Sequence, residues 1–241
     1  MGLSKLYYEL ARMYHEMYQS IFNYHEEFKL HDRIFKEYGC CKVLEVGCGS
    51  GNLAKYFVDA NYDYIGTDLS ANMLGIAKEN NPDIQFLQRD MRELGFDENF
   101  DAVLITGRSF TYMLRNDDVN RCLESVNKAL KDSGIFIFDN FNASELFSNF
   151  RSHIEQVSEY EGKTYKRVSD NSFNMETGWT WNWDAKYYIE ENGKEIDVIE
   201  DKSILRAFTE DELKLFLRLH NFEVLKIINE GAAITIISQK K

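Results

Sequence analysis

Leu6, Leu10, Met13, Met17 and Ile21 recur at helical spacing, and Phe28, Ile34 and Phe35 repeat the pattern further on, so the first forty residues predict two helices. Then the period changes. Short apolar runs at Lys42–Val46 and at 62–67, 84–87, 102–106 and 135–139 read as strands. Between them, 53–59, 71–79 and 118–130 carry helical patterning, with polar starts at Ser70 and Asp117. Strand–helix alternation of this kind predicts a parallel sheet with helices on both faces. The single proline, Pro82, lies in a turn signal before the third strand.

After Phe147 the alternation stops for about sixty residues. The stretches 155–169, 173–190 and 195–208 show period-two patterning rich in aromatic and β-branched residues, with turn signals at Glu161-Gly162 and Asn192-Gly193. This predicts an antiparallel patch inserted into an α/β domain. Thr209 with Glu212 three residues on is a capping box opening a helix over Glu210–Leu219, and 222–229 with 233–238 reads as a closing hairpin. The expected division is N-terminal helices over 1–40, a core of 41–147 with 209–241, and an inserted β lid over 148–208.

Composition narrows the partners. The 241 residues carry 28 Lys and Arg against 40 Asp and Glu, a net charge of −12 that opposes binding to a phosphate backbone. Apolar residues make up 44%, mean hydropathy is −0.44, and no apolar run approaches the roughly 20 residues of a membrane span. The N-terminus is broken by Lys5, Glu9 and Arg12, unlike a signal-peptide core, and Leu6 stands where a myristoylation motif after Gly2 wants Ser or Thr. Cys40, Cys41, Cys48 and Cys122 lack zinc or redox spacing, which suits reduced thiols in the cytoplasm. His25 and His31 are six apart and diverge on a helix, so no metal site is expected.

The strongest chemical signal is Glu45-Val46-Gly47-Cys48-Gly49-Ser50-Gly51, between the first strand and the next helix. Alternate glycines let the backbone turn tightly and approach a ligand with no Cβ in the way. The dinucleotide fingerprint fails because Asn52 occupies its last glycine position, and Glu45 adds an anion where a pyrophosphate would lie. An anion there suits a ligand carrying positive charge. The second strand ends at Asp68, placed to grip ribose hydroxyls. Asp90 ends the third and can receive an adenine amine, and Met73 can supply an apolar surface for the ring.

These motifs resemble the class I S-adenosylmethionine-dependent methyltransferases over the chain from about Ala11 onward. The resemblance implies a Rossmann-like, doubly wound seven-stranded sheet ending in an antiparallel hairpin. It also implies S-adenosylmethionine near Tyr24, Gly47, Gly49, Asp68, Met73, Asp90, Met91 and Thr106.

No Asn-Pro-Pro-Tyr or Asp-Pro-Pro-Tyr follows the fourth strand, where Thr106-Gly107-Arg108-Ser109-Phe110-Thr111-Tyr112-Met113 stands instead. With the net charge, this points to a small-molecule acceptor rather than nucleic acid or membrane, in a monomer or homodimer. The tyrosine-rich run 11–18 followed by Tyr24, the Asp90-Met91-Arg92 and Ser109-Phe110-Thr111-Tyr112 segments, and the insertion leading into Phe208-Thr209 are similar to nucleotide-linked amino-sugar N-methyltransferases. That resemblance maps Tyr18 and Tyr112 to the acceptor nitrogen. Phe141 and Asn142 replace a tryptophan pair of the group, and the Tyr18-to-Tyr24 spacing is one residue short.

Methyl transfer from a sulfonium is an in-line displacement in which positioning can supply up to about 7–11 kcal/mol. A neutral amine needs a hydrogen-bond acceptor or modest base, for which Tyr18, Tyr112 and Asp139 are the candidates. Trp179, Trp181 and Trp183 share one strand face and pack on the core or wall a cavity. The acidic run from Glu190 to Asp201 is a solvated edge or a lure for a cationic acceptor. His153 lies at the surface or faces the pocket. O-methylation, nicotinamide-dependent oxidation and a non-catalytic S-adenosylmethionine-binding partner protein are the alternatives.

Overall fold

Residues 4–192 and 194–241 are described by a computed structural model. After a 3-10 turn at Lys5–Tyr7 come α1 (Ala11–Gln19), α2 (Tyr24–Glu37), β1 (Lys42–Val46), α3 (Ala54–Asp59), β2 (Asp63–Asp68), α4 (Ala71–Asn80) and β3 (Gln85–Gln88). The core continues with β4 (Phe100–Ile105), a 3-10 turn at Ser109–Tyr112, α5 (Asn116–Ala129), β5 (Leu130–Phe141) and α6 (Ala143–Ser148). Four long strands follow: β6 (His153–Tyr160), β7 (Lys163–Phe173), β8 (Thr180–Glu191) and β9 (Lys194–Arg206). Helix α7 (Glu210–Leu219) and the hairpin β10 (Phe222–Glu230) and β11 (Ala233–Lys240) end the chain.

The main sheet has seven strands in the order β10-β11-β5-β4-β1-β2-β3, parallel except for β11. A second, four-stranded sheet, β6-β7-β8-β9, is antiparallel throughout. Burial explains the apolar runs of the central strands. On one face Phe136, Phe138, Val126 and Leu217 form a core, and on the other Phe35, Phe57, Tyr64 and Ala77 do. Leu6, Leu10, Met13 and Met17 of the N-terminal segment turn away from that core and pack on Tyr165, Ala185 and Tyr187 of the second sheet.

The differences from the sequence pattern are local. Strand β5 begins at Leu130 because the chain re-enters the sheet through Ser133, at φ +62°, and Gly134, five residues ahead of the apolar run at 135–139. Helix α6 is set by Asn142, whose side chain accepts from Ser144 N–H at 3.1 Å, where no helical repeat marks it. Asp117 does not cap α5. It falls inside the first turn, and Asp118 accepts from the Arg115 N–H instead. The patterned stretches of the insertion resolve into four strands because Glu161 and Gly162 both take positive φ and reverse the chain between β6 and β7. The Gly193 half of the other turn signal lies outside the described residues.

Ser70 and Thr209 act as their sequence context predicts. Thr209 Oγ1 accepts from the Glu212 N–H at 3.2 Å while Glu212 Oε2 accepts from the Thr209 N–H at 2.8 Å. Thr209→Ala is expected to cost about 1 kcal/mol, read as a lower urea midpoint at unchanged slope.

Candidate active site

A cavity of about 630 Å³ opens beyond the C-terminal ends of β1, β2 and β4, the crevice a doubly wound sheet reserves for ligands. Gly47, at φ +74°, passes so near the turn after β4 that a Cβ would stand 2.8 Å from Ser109 Oγ. A Cβ on Gly49 would meet the Met73 methyl at 3.2 Å, so the loop lies flat on the buried methionine. Asp68 orders this loop: Oδ2 accepts from Gly49 N–H at 2.9 Å and Oδ1 from Ser70 N–H at 2.8 Å. Ser70 caps α4 and also donates to the Tyr7 carbonyl, which ties the N-terminal segment over the cavity.

Tyr24, Gly47, Gly49, Asp68, Met73, Asp90, Met91 and Thr106 all line this one space. Asp90 is clamped by the Arg92 guanidinium at 2.6 Å, which holds its carboxyl below the usual range, and Arg92 reaches on to Asp118 at 2.7 Å.

Two other carboxyls lining this cavity, Glu45 and Glu27, shift the opposite way from Asp90. Glu45 is 3% exposed one residue before the end of β1 and accepts from the Tyr64 hydroxyl at 2.5 Å; burial pushes it up to about 8. Burial, with the charge of Asp139, pushes Glu27 up to about 7. Both would lose that penalty beside a positively charged ligand group. The cavity therefore suits a ligand with vicinal hydroxyls for Asp68, an apolar ring for Met73 and a cationic portion for Glu27 and Glu45. S-adenosylmethionine fits this set of groups.

A second cavity of about 620 Å³ lies under the four-stranded sheet, walled by Tyr18, Phe141, Trp181, Trp183 and Tyr187. Tyr7, Tyr14, Phe22, Gly107, Tyr112 and Ser203 line both spaces, so the two cavities abut across tyrosines. The Tyr7 and Tyr112 hydroxyls are 3.0 Å apart, and burial holds both phenols well above their ordinary range, hence protonated at neutral pH. Tyr14 stacks on Tyr18 with ring centroids 4.2 Å apart, and the Tyr18 hydroxyl accepts from Arg167 Nη1 at 2.7 Å.

Comparison with known proteins bears on this geometry. Residues 43–134 match the model of a methyltransferase domain, the segment that carries the glycine loop, Asp68, Asp90 and Thr106. The chain carries a methyltransferase domain. The enzyme is 29% identical over 195 residues to YqeM of Bacillus subtilis, whose name assigns it to the methyltransferases without an acceptor; the match covers 77% of this chain and 75% of that one. It is 24% identical over 170 residues to a dTDP-3-amino-3,4,6-trideoxy-alpha-D-glucopyranose N,N-dimethyltransferase of Streptomyces venezuelae, covering 70% of each. The crystal structure of Streptomyces venezuelae DesVI shares the fold, with a TM-score of 0.85 at 20% identity over 96% of this chain and 98% of that one.

Not every expected residue of the enzyme reaches the cavities. Asp139 lines neither: two residues before the end of β5, its Oδ1 accepts the Arg108 N–H at 2.7 Å, where Arg108 takes φ +59°. Burial raises the Asp139 carboxyl to about 6, against the pull of Arg108. Trp181 and Trp183 wall the second cavity, and Trp181 also packs edge-on against Phe141; Trp179 lines neither space. His153 is exposed, paired with Asp170 at 2.8 Å. In the acidic run, Glu190, Glu191, Glu195, Asp197 and Glu200 are exposed at the far end of β8 and β9, away from both cavities, and Asp201 alone turns inward.

Several lining or supporting groups went unread. His15 contacts Ser50 Oγ at 2.8 Å and braces the glycine loop from α1, and Gln19 donates to Asn52 at 3.0 Å. The polar Ser50 and Asn52 inside the glycine run were the available signal. Tyr7 and Arg167 had none, because their place in the site depends on how the N-terminal segment and the second sheet fold over the core. Among the described residues no helix is long and apolar enough to cross a membrane.

Proposed function

We propose that the enzyme methylates an amine nitrogen on a small, ring-shaped acceptor such as an amino sugar. The observation that carries this reading is the pair of neutral phenols, Tyr7 and Tyr112, where the two cavities meet. When bound, S-adenosylmethionine supplies an activated methyl group on a sulfonium. An amine that has lost its proton to solvent is already a nucleophile and needs only an oxygen to accept its N–H and aim the lone pair. A hydroxyl acceptor needs a base to take its proton, and among the described residues shared by both cavities none is basic at neutral pH. The aromatic walls and the volume of about 620 Å³ suit a sugar-sized molecule rather than a polymer. The relative of this chain named for an amino-sugar N,N-dimethyltransferase supports the same class.

In this reading Tyr112 orients the amine, Tyr18 holds the acceptor wall through Tyr14, and Asp139 fixes the Gly107–Arg108 turn that carries Tyr112. S-adenosylhomocysteine release should be measured with D-glucosamine and with D-glucose as its hydroxyl counterpart. The amine is expected to be the substrate, and Tyr112→Phe to lower kcat/KM about tenfold, or about 1.4 kcal/mol, with S-adenosylhomocysteine binding unchanged. Equal or faster turnover of the hydroxyl counterpart would overturn the assignment.

A further inference from the structure

Arg167, on β7, is 8% exposed and lines the second cavity. Its guanidinium lies over the Trp183 ring, 5.0 Å from the centroid, donates to Tyr18 Oη at 2.7 Å and to Gln156 Oε1 at 2.5 Å, and leaves Nε–H with no acceptor. No carboxylate pairs with it among the described residues. The two carboxylates lining the same cavity are engaged or remote from it: Asp201 takes the Ser4 hydroxyl at 2.5 Å and the Lys5 N–H at 2.9 Å, and Glu145 makes no bond to Arg167. A buried cation with unfilled donors and no counter-ion is costly to keep. In a chain of net charge −12, this cavity is nonetheless lined by three arginines (Arg108, Arg151 and Arg167) against two carboxylates. Arg108 is offset by Glu27 and Asp139, whose carboxyls feel its charge, and Arg151 is exposed to solvent, so Arg167 stands as the buried, uncompensated one.

We propose that Arg167 is the seat for an anionic group of the acceptor, a carboxylate or a phosphate, held by the planar guanidinium against Trp183 while the amine reaches the Tyr7–Tyr112 junction. The acceptor is then an amine that also bears a negative group. This rests on reading the second cavity as the acceptor's. A guanidinium suits such a group because its forked donors match two oxygens at once.

The test uses the full-length enzyme saturated with S-adenosylhomocysteine, titrated separately with inorganic phosphate and with acetate while tryptophan fluorescence is followed. The expected result is saturable quenching by at least one of the two ions, weakened at least tenfold in Arg167→Gln and in Arg167→Met. Which ion saturates tells a phosphate-bearing acceptor from a carboxylate-bearing one. The two variants guard against loss of fold, and each is first shown to bind S-adenosylhomocysteine and to melt as the wild type does. Failure of both ions to saturate, or equal binding by a folded variant, would overturn the proposal. Methyl transfer to amines is read independently, so an enzyme that methylates neutral amines and ignores both ions defeats this inference while leaving the proposed reaction standing.

Discussion

Asp68→Ala is expected to weaken S-adenosylhomocysteine binding by roughly 100- to 1000-fold in a calorimetric titration. The carboxylate orders the glycine loop through Gly49 N–H and Ser70 N–H and is the acidic group at the end of β2 that faces the cofactor cavity. Hydrogen bonds to a charged group contribute about 1.5–3 kcal/mol each, so losing the loop bonds with those to the ligand totals about 3–4 kcal/mol. Asp68→Asn retains one acceptor oxygen and should fall between the wild type and alanine. Binding within threefold of wild type in Asp68→Ala would place the ribose elsewhere.

The second large effect is on stability in acid. His31 is 2% exposed, neither of its ring nitrogens has a partner, and burial lowers its pKa to about 4. The unfolded chain takes up the proton near 6.5 and the folded chain does not. Stability from this group is therefore complete above about pH 6.5, declines as pH falls, and is lost by about pH 4. At 1.36 kcal/mol per unit the loss is about 3 kcal/mol. Glu27 and Glu45 work in the opposite direction: raised carboxyls favour the folded state fully below the ordinary 4.5 and withdraw that support as pH rises from there to about 7 and about 8 respectively. Because the two carboxyls act over an overlapping range, the His31 contribution is read as the difference in urea-unfolding stability between wild type and His31→Leu, which should shift by about 3 kcal/mol between pH 6.5 and 4 and stay flat above pH 6.5. An unchanged acid limb in that variant would remove His31 from the account.

What could be read from the sequence depended on how local the determinant was. Strand β1, helix α7 and the closing hairpin follow from period, capping box and turn residues within a few positions. Of the eight expected residues that line the first cavity, Gly47, Gly49, Asp68, Met73 and Asp90 were equally accessible from strand ends and helix starts, while Tyr24, Met91 and Thr106 followed only from the resemblance to methyltransferases. Tertiary placement was not accessible. Tyr7, Tyr112 and Arg167 come together from an N-terminal turn, a 3-10 turn after β4 and a strand of the second sheet; the Ser109–Tyr112 segment marked Tyr112 by resemblance, whereas nothing in the neighbourhoods of Tyr7 and Arg167 marks them. Asp139 shows the converse: its position at a strand end made it a catalytic candidate, but a positive φ at Arg108, invisible in sequence, directs its carboxylate to a backbone N–H.

A crystal structure of the enzyme with S-adenosylhomocysteine tests the central claim most directly, that the two cavities hold donor and acceptor and meet at a tyrosine pair. The account predicts the ribose hydroxyls on Asp68, the adenine over Met73 and the sulfur turned toward the Tyr7 and Tyr112 hydroxyls. A sulfur turned away from those hydroxyls, or the nucleoside lodged beside Trp183, would contradict it.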